Sequence, residues 1–223
     1  NAWGVPFIGH DIRKSGADVI IYSMDKASES PTGGLIIGKE EFMVPIRRAL
    51  GMHGDRYGTT ASYGKAAYVT NDPGKEAMLG MIAALKEIID NPDELKKPVD
   101  DMYKIVKEEF DQIHPKIRKG LIISKSYNSR AIEVNYENTW NDGELGLPIF
   151  SIEDMYAGTQ LLQTGLSQMG VIPTVAYDAN IMISPGLGTT DEKGQIIESN
   201  FRYAVKAQVK LMEIVAKYSG FID

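Results

Sequence analysis

Lys26 is the residue of this sequence whose type and surroundings best suit covalent chemistry. It follows the apolar run at residues 19–22 and the hydroxyl residue Ser23, and the sequence Pro-Thr-Gly-Gly comes after it at residues 31–34. A lysine presented just past a buried strand, with small hydroxyl and glycine residues close by, has the layout of a Schiff-base lysine with phosphate contacts. The pattern therefore makes the side-chain amine of Lys26 a candidate for Schiff-base formation.

The pattern alone leaves two alternatives for Lys26. An amine that adds to an aldehyde must be neutral for part of the time, so a Schiff-base lysine needs partial burial and neighbouring cations that lower its pKa. The apolar runs at residues 19–22 and 35–37 predict two buried strands, which would supply that burial. In this alternative the Ser23 hydroxyl and the backbone near Thr32 and Gly33 contact a phosphate. In the other alternative, Lys26 is a solvated lysine in a hairpin loop.

The segment GADVIIYSMDKASESPTGGLIIGKEEF resembles the lysine segment of one group of fold-type I pyridoxal phosphate enzymes. This is the selenocysteine synthase (L-seryl-tRNA selenium transferase)-like group, which includes D-glucosaminate-6-phosphate ammonia-lyase. The shared features are Gly-Ala-Asp before the strand, the Ser23 to Lys26 spacing, Pro-Thr-Gly-Gly, and Ile-Gly-Lys at the end. The resemblance implies that Lys26 binds pyridoxal 5'-phosphate as a Schiff base, with Ser23, Thr32 and Gly33 as further cofactor contacts.

The first residues, Asn-Ala-Trp-Gly, resemble the Asp-Asn-x-aromatic stretch of several fold-type I lyases. The resemblance implies that the Asp that pairs with the pyridine nitrogen lies just before Asn1, and that a glycine-rich phosphate loop lies further upstream. We therefore expect this chain to be the C-terminal portion of a longer protein, or to work with a separate chain that supplies the N-terminal half. His10 is a further candidate cofactor contact, although a lone loop histidine is more often a surface residue.

The arginine that would bind the substrate carboxylate is missing from its expected position. The stretch at residues 181–193 resembles the late Arg-x-Ser-x-Gly segment of fold-type I enzymes, in which the Arg binds the substrate carboxylate, but Met182 stands at the position of that Arg. Arg130 is a candidate substitute, with an exposed strand-edge cation as the alternative. Arg56, in the glycine-rich loop at residues 51–74, is a second candidate, because long polar loops in compact domains are often functional.

Composition narrows the class of protein. The 223 residues are 43% hydrophobic and 24% charged, which is typical of a globular protein. A net charge of -6 without a long basic run argues against nucleic-acid binding. The absence of cysteine excludes disulfides, thiolate metal sites and cysteine nucleophiles, and we predict no metal site. No apolar stretch approaches the roughly 20 residues of a membrane span, and the location expected from this is cytoplasmic.

We expect an α/β fold with two domains. Residues 1–91 would be the C-terminal part of a fold-type I large domain that binds pyridoxal phosphate, and residues 92–223 a linking helix and a small α/β domain. The periodicity predicts helices at residues 39–50, 75–90, 92–113, 152–169 and 192–218, with Pro45 kinking the first or limiting it to its first turn. It predicts further strands at residues 121–124, 131–136, 171–175 and 181–183.

The resemblance implies a pyridoxal phosphate-dependent lyase that acts on an amino acid or amino sugar acid by Cα deprotonation and β-elimination. One alternative is a selenocysteine synthase-like transferase. Another is a non-catalytic subunit of a split assembly, which contributes only one wall of a site or an assembly surface. In each case we expect a homo-oligomer, a dimer or larger, because fold-type I sites sit at subunit interfaces.

Overall fold

A computed structural model describes residues 16–26, 28–49, 73–143, 146–147, 155–172, 175–177 and 179–223. The described residues form a mixed α/β structure with two small antiparallel sheets. They fall into two compact units, one within Asn1–Leu95 and one within Lys96–Asp223. The predicted domain boundary between residues 91 and 92 lies near this division, and the assignment of the two units to a large and a small domain stays a prediction.

The first unit is built on a β-hairpin whose two strands pair antiparallel with Ile20 opposite Ile37 and Tyr22 opposite Leu35. These residues share one face, on which Ile20, Tyr22 and Leu35 pack with apolar residues of a following helix, Met81, Leu85 and Ile88. The elements of this unit are β1 (Val19–Ser23), β2 (Gly34–Gly38), α1 (Glu40–Ala49) and α2 (Gly74–Asp90).

The predictions for the first unit are confirmed in their elements but not in the burial of the strands. Ile21, on the face opposite the helix, is 58% exposed, because a helix on one side of a two-stranded ribbon covers only that side. Ile37, on the helix side, is still 49% exposed, so the helix does not cover the whole of that face. The helix predicted at residues 75–90 is confirmed as α2. Of the two effects predicted for Pro45, a limit at the first turn is wrong, because α1 continues through Pro45 to Ala49, and a kink stays a prediction.

The second unit has a four-stranded antiparallel sheet in the order β3-β4-β6-β5. The register places Ile132 opposite Ile183 and Val134 opposite Ile181, so these apolar side chains lie on one face and enter the core with the helices. The helices and strands of this unit are α3 (Pro92–Phe110), α4 (Pro115–Lys119), β3 (Ile122–Ser126), β4 (Ala131–Asn135), a 3₁₀ helix (Glu137–Gly143), α5 (Met155–Gln168), β5 (Val175–Tyr177), β6 (Asn180–Ile183) and α6 (Glu198–Tyr218).

Several boundaries in the second unit differ from the predictions; β3, for example, spans Ile122–Ser126 rather than residues 121–124. Helix α3 ends at Phe110 rather than at residue 113, and β5 begins at Val175 rather than at residue 171. Helix α6 begins at Glu198 rather than at residue 192, because the preceding residues form a tight turn around Asp191. Within the described part of the chain, no helix is both long and apolar enough to cross a membrane.

Candidate functional site

Lys26 lies in the loop of the β1–β2 hairpin and is exposed. The geometry is that of an accessible lysine in a hairpin loop, which is one of the two alternatives that the sequence left open. The expected partial burial of Lys26 is wrong, because the chain leaves the packed face of the hairpin at Met24, two residues earlier. Met24 is fully buried and packs with Tyr22 and Ile88.

The loop that carries Lys26 is fixed to Met24 by hydrogen bonds. The Met24 amide donates to the Gly33 carbonyl oxygen at 2.9 Å, and the Met24 carbonyl oxygen accepts from the Ser30 amide at 3.1 Å and from the Ser30 hydroxyl at 2.6 Å. The Ser28 hydroxyl donates to the same carbonyl oxygen. Because Met24 is buried, these bonds fasten the described residues of the loop to the packed face of the hairpin and leave Lys26 exposed.

Ser23, a predicted cofactor contact, donates its hydroxyl hydrogen to Asp25 Oδ1 at 2.6 Å. This bond is the main reason that the pKa of Asp25 lies below its ordinary value, and the positive charge of Lys26 adds to the effect. A carboxylate therefore lies beside Lys26 at neutral pH. It would repel a phosphate dianion placed at the same hydroxyl.

Gly33 and Thr32, the other predicted phosphate contacts in the loop, are half-buried and exposed respectively. A Cβ atom added at Gly33 would lie 2.6 Å from Met81 Sδ, so the space that the glycine leaves is filled by the Met81 side chain. The space beside Gly33 is therefore not open to a ligand oxygen. The described part of this hairpin offers an accessible amine, but not the partial burial and neighbouring cations expected of a Schiff-base lysine. Its hydroxyl and glycine groups do not form a phosphate site by themselves.

Arg130, a predicted substrate contact, lies in the second unit at the end of the turn between β3 and β4. Its side chain is not an exposed strand-edge cation, because the residue is only 9% exposed. Its Nη2 donates to the Gly194 carbonyl oxygen at 2.8 Å, and burial lowers the pKa of its guanidinium group. The antiparallel register of β4 and β6, with Glu133 opposite Met182, brings Arg130 to the segment that follows β6.

The structure therefore brings four of the predicted site residues, Ser23, Lys26, Thr32 and Gly33, into one hairpin and its loop. Arg130 lies in the other compact unit. His10 and Arg56 lie outside the described residues. Within the described ranges, no group of three or more His, Asp or Glu side chains is arranged to hold a metal ion.

One polar cluster was missed by the sequence analysis. Asp100 on α3 accepts hydrogen bonds from the Lys125 amine at 2.6 Å and the Tyr127 hydroxyl at 2.8 Å, and Lys125 also lies over the Tyr103 ring. These residues are far apart in sequence, so no local pattern indicates them. The turn around Asp191 was also missed, although Asp191 and Gly194 are typical turn residues at a typical spacing.

No protein-family model matches the chain, and no curated protein matches it at a significant level of similarity. The resemblance of the lysine segment to fold-type I enzymes therefore stays a prediction.

Proposed function

We propose that this chain is the lysine-bearing part of a pyridoxal phosphate-dependent lyase of fold type I, acting on an amino acid or amino sugar acid. The observation that carries the proposal is the placement of Lys26. Its amine is accessible, while the loop around it is fastened to buried Met24 by several hydrogen bonds. The bonds to Met24 order the backbone from which the amine extends, so that part of the ordering cost is already met before a covalent bond forms.

In this proposal the Lys26 amine would hold the cofactor and would also act as the base at the substrate Cα. Bound pyridoxal phosphate supplies an electron sink for the charge that develops at that carbon. In this proposal the phosphate is held mainly by groups outside the described part of the hairpin, because the Ser23 hydroxyl bonds Asp25 and Met81 fills the space beside Gly33. Ser23 and Thr32 then contribute at most a peripheral hydroxyl contact.

The Lys26 proposal is tested by replacing Lys26 with Ala in the complete protein. After incubation with pyridoxal phosphate and borohydride reduction, peptide mapping should place the label on residue 26 of the wild type. The Lys26→Ala variant should carry no label on this peptide. Its free energy of unfolding should change by no more than about 0.5 kcal/mol, because an exposed lysine fills no cavity.

Lys39→Ala is the matched control, because Lys39 is also exposed, lies at the base of the same hairpin and pairs with Asp18. Labelling at residue 26 should be unchanged in this variant. A label on a lysine other than Lys26, or no label on the wild-type protein, would show the proposal to be wrong. A selenocysteine synthase-like transferase would use the same amine, so the experiment tests that alternative as well.

A second candidate function is a non-catalytic subunit that contributes an assembly surface. The observation in its favour is the number of large apolar side chains exposed on the first unit, including Ile21, Leu79, Ile82 and Ile89. Exposed apolar surface of this kind typically marks an interaction site. The labelling experiment separates the two candidates, because an assembly subunit has no need of a reactive amine at residue 26.

A further inference from the structure

The turn that joins β3 to β4 ends in an unusual residue. Arg130 has a backbone φ of 48°, in the left-handed region that residues with a Cβ atom seldom adopt. The turn is closed by hydrogen bonds from the Ser129 amide to the Ser126 carbonyl oxygen and from the Arg130 amide to the Tyr127 carbonyl oxygen. Glycine or asparagine would fit this position with less strain. An arginine here indicates that its side chain makes a contact that offsets the strain.

That contact is the buried hydrogen bond to Gly194. Arg130 Nη2 donates to the Gly194 carbonyl oxygen at 2.8 Å, across 64 residues of sequence. Gly194 also has a positive φ of 73°, and a Cβ atom added to it would lie only 3.3 Å from Arg130 Nη2. Glycine at this position therefore allows both the backbone conformation and the close approach of the guanidinium group.

Gly194 belongs to a compact turn, residues 190–196, which we call the Asp191 turn. Thr190 and Ile196 form a β-bridge at its base, and Asp191 Oδ1 accepts hydrogen bonds from the amides of Lys193 and Gln195, each at 2.9 Å. These internal bonds fix the shape of the turn, but not its position on the unit. The position depends on contacts with other elements.

Arg130 and Lys97 are side chains of other elements that donate to the Asp191 turn. Lys97 Nζ donates to Gln195 Oε1 at 3.1 Å. The Lys97 side chain is 60% exposed, so its bond to Gln195 competes with water. Its amine also forms an ion pair with Asp101. The Arg130 bond is part-buried and competes less with water, which makes it the stronger of these two hydrogen bonds.

We propose that Arg130 is a positioning residue that holds the Asp191 turn against the end of the β3–β4 hairpin. The segment from Ser184 to Thr189 is held with it, because the Ile197 amide donates to the Thr189 carbonyl oxygen at 2.9 Å. Leu187, at the tip of that segment, is 97% exposed and so is presented on an anchored loop. This inference does not depend on the chemistry proposed for Lys26.

The test is hydrogen exchange of the whole protein, followed by mass spectrometry, in Arg130→Gly and Arg130→Lys. Exchange of the Gly194, Gln195 and Ile197 amides should rise at least tenfold in both variants. Glycine removes the anchor while relieving the backbone strain, so the unfolding midpoint should change little. Lysine keeps the charge, but it lacks the planar guanidinium group that reaches Gly194 from this backbone conformation, so it should not rescue the slow exchange.

Lys97→Met is the matched control, because methionine has no N–H group and so removes the exposed donor to the same turn. Exchange of the Gly194, Gln195 and Ile197 amides should rise less than twofold in this variant. Wild-type exchange rates in both Arg130 variants would overturn the proposal. An equal rise in exchange throughout residues 96–223 would also overturn it, since that result would assign Arg130 to the general stability of the unit. A rise confined to residues 184–197 supports it.

Discussion

At the residue scale, Asp100 is the ionisable group whose surroundings most clearly predict how the stability of the protein depends on pH. Burial by itself would raise the pKa of Asp100, but the hydrogen bonds from Lys125 and Tyr127 and the charges of Lys125 and Lys96 outweigh it. The pKa in the folded protein is therefore below its ordinary value of 3.8. A carboxyl group with a lowered folded pKa stabilises the protein above its unfolded pKa, and this stabilisation is lost as the pH falls through the folded value.

We predict that Asp100→Asn is less stable than the wild type at pH 7 and that the difference narrows below about pH 4. The difference at pH 7 should be about 1 kcal/mol or less, because the Asp100 side chain is 48% exposed and solvent screens its ion pair. Urea unfolding at pH 7 and at pH 3 measures both values. Tyr127→Phe removes one of the two hydrogen bonds and should reduce the pH dependence. An equal difference at the two pH values would contradict the prediction.

At the scale of elements, the end of α4 is packed directly against the backbone of the 3₁₀ helix. A Cβ atom added at Gly120 would lie 2.5 Å from Thr139 Cγ2 and 2.8 Å from the Thr139 amide nitrogen. Thr139 cannot move away easily, because its hydroxyl donates to the Tyr136 carbonyl oxygen at 2.7 Å and accepts from the Leu147 amide at 3.0 Å. The packing of two elements therefore requires a glycine at residue 120.

We predict that Gly120→Ala lowers the free energy of unfolding by about 1–3 kcal/mol, the usual effect of overpacking a buried site. Gly188→Ala is the control, because a Cβ atom there would meet no heavy atom within 4 Å, and its effect should stay within about 0.5 kcal/mol. Chemical denaturation of both variants measures the difference. Equal stability of the two variants would mean that the contact between Gly120 and Thr139 does not limit the packing.

At the scale of the whole molecule, we predict that the native protein is a dimer or larger. The apolar side chains of α2 follow two faces, and only the face with Met81, Leu85 and Ile88 packs on the hairpin. The second face carries Leu79, which is 68% exposed, and Ile82, which is 60% exposed. Sedimentation should give a mass that is a multiple of the protomer mass, which is 24.6 kDa for this chain.

Ile82→Asp should shift the sedimentation profile towards the protomer, since a charge on an apolar interface is costly to bury. Ile172→Asp, a substitution at an 81% exposed isoleucine of the second unit, is the control and should leave the profile unchanged. A monomeric wild-type protein that still binds pyridoxal phosphate would count against the prediction.

The sequence by itself determined the elements that have strong local signals. The apolar spacing along residues 75–90 identified α2 because one face of a helix must be apolar to pack. The branched runs at residues 19–22 and 35–37 identified β1 and β2, and they thereby placed Lys26 in the loop between the two strands. The turn at Asp191 also has a local signal. The helix predicted at residues 192–218 nevertheless includes part of this turn, because the apolar periodicity of the helix favoured too early a start.

The tertiary structure decided burial and the contacts between distant residues. Sequence periodicity cannot show that Lys26 is exposed or that Arg130 is buried, because burial depends on which other elements cover a residue. The bond from Arg130 to Gly194 spans 64 residues, and the cluster of Asp100 with Lys125 spans 25. Both contacts exist because α3, the β3–β4 hairpin and the segment after β6 pack around one core, and that packing is a property of the folded unit rather than of any local stretch.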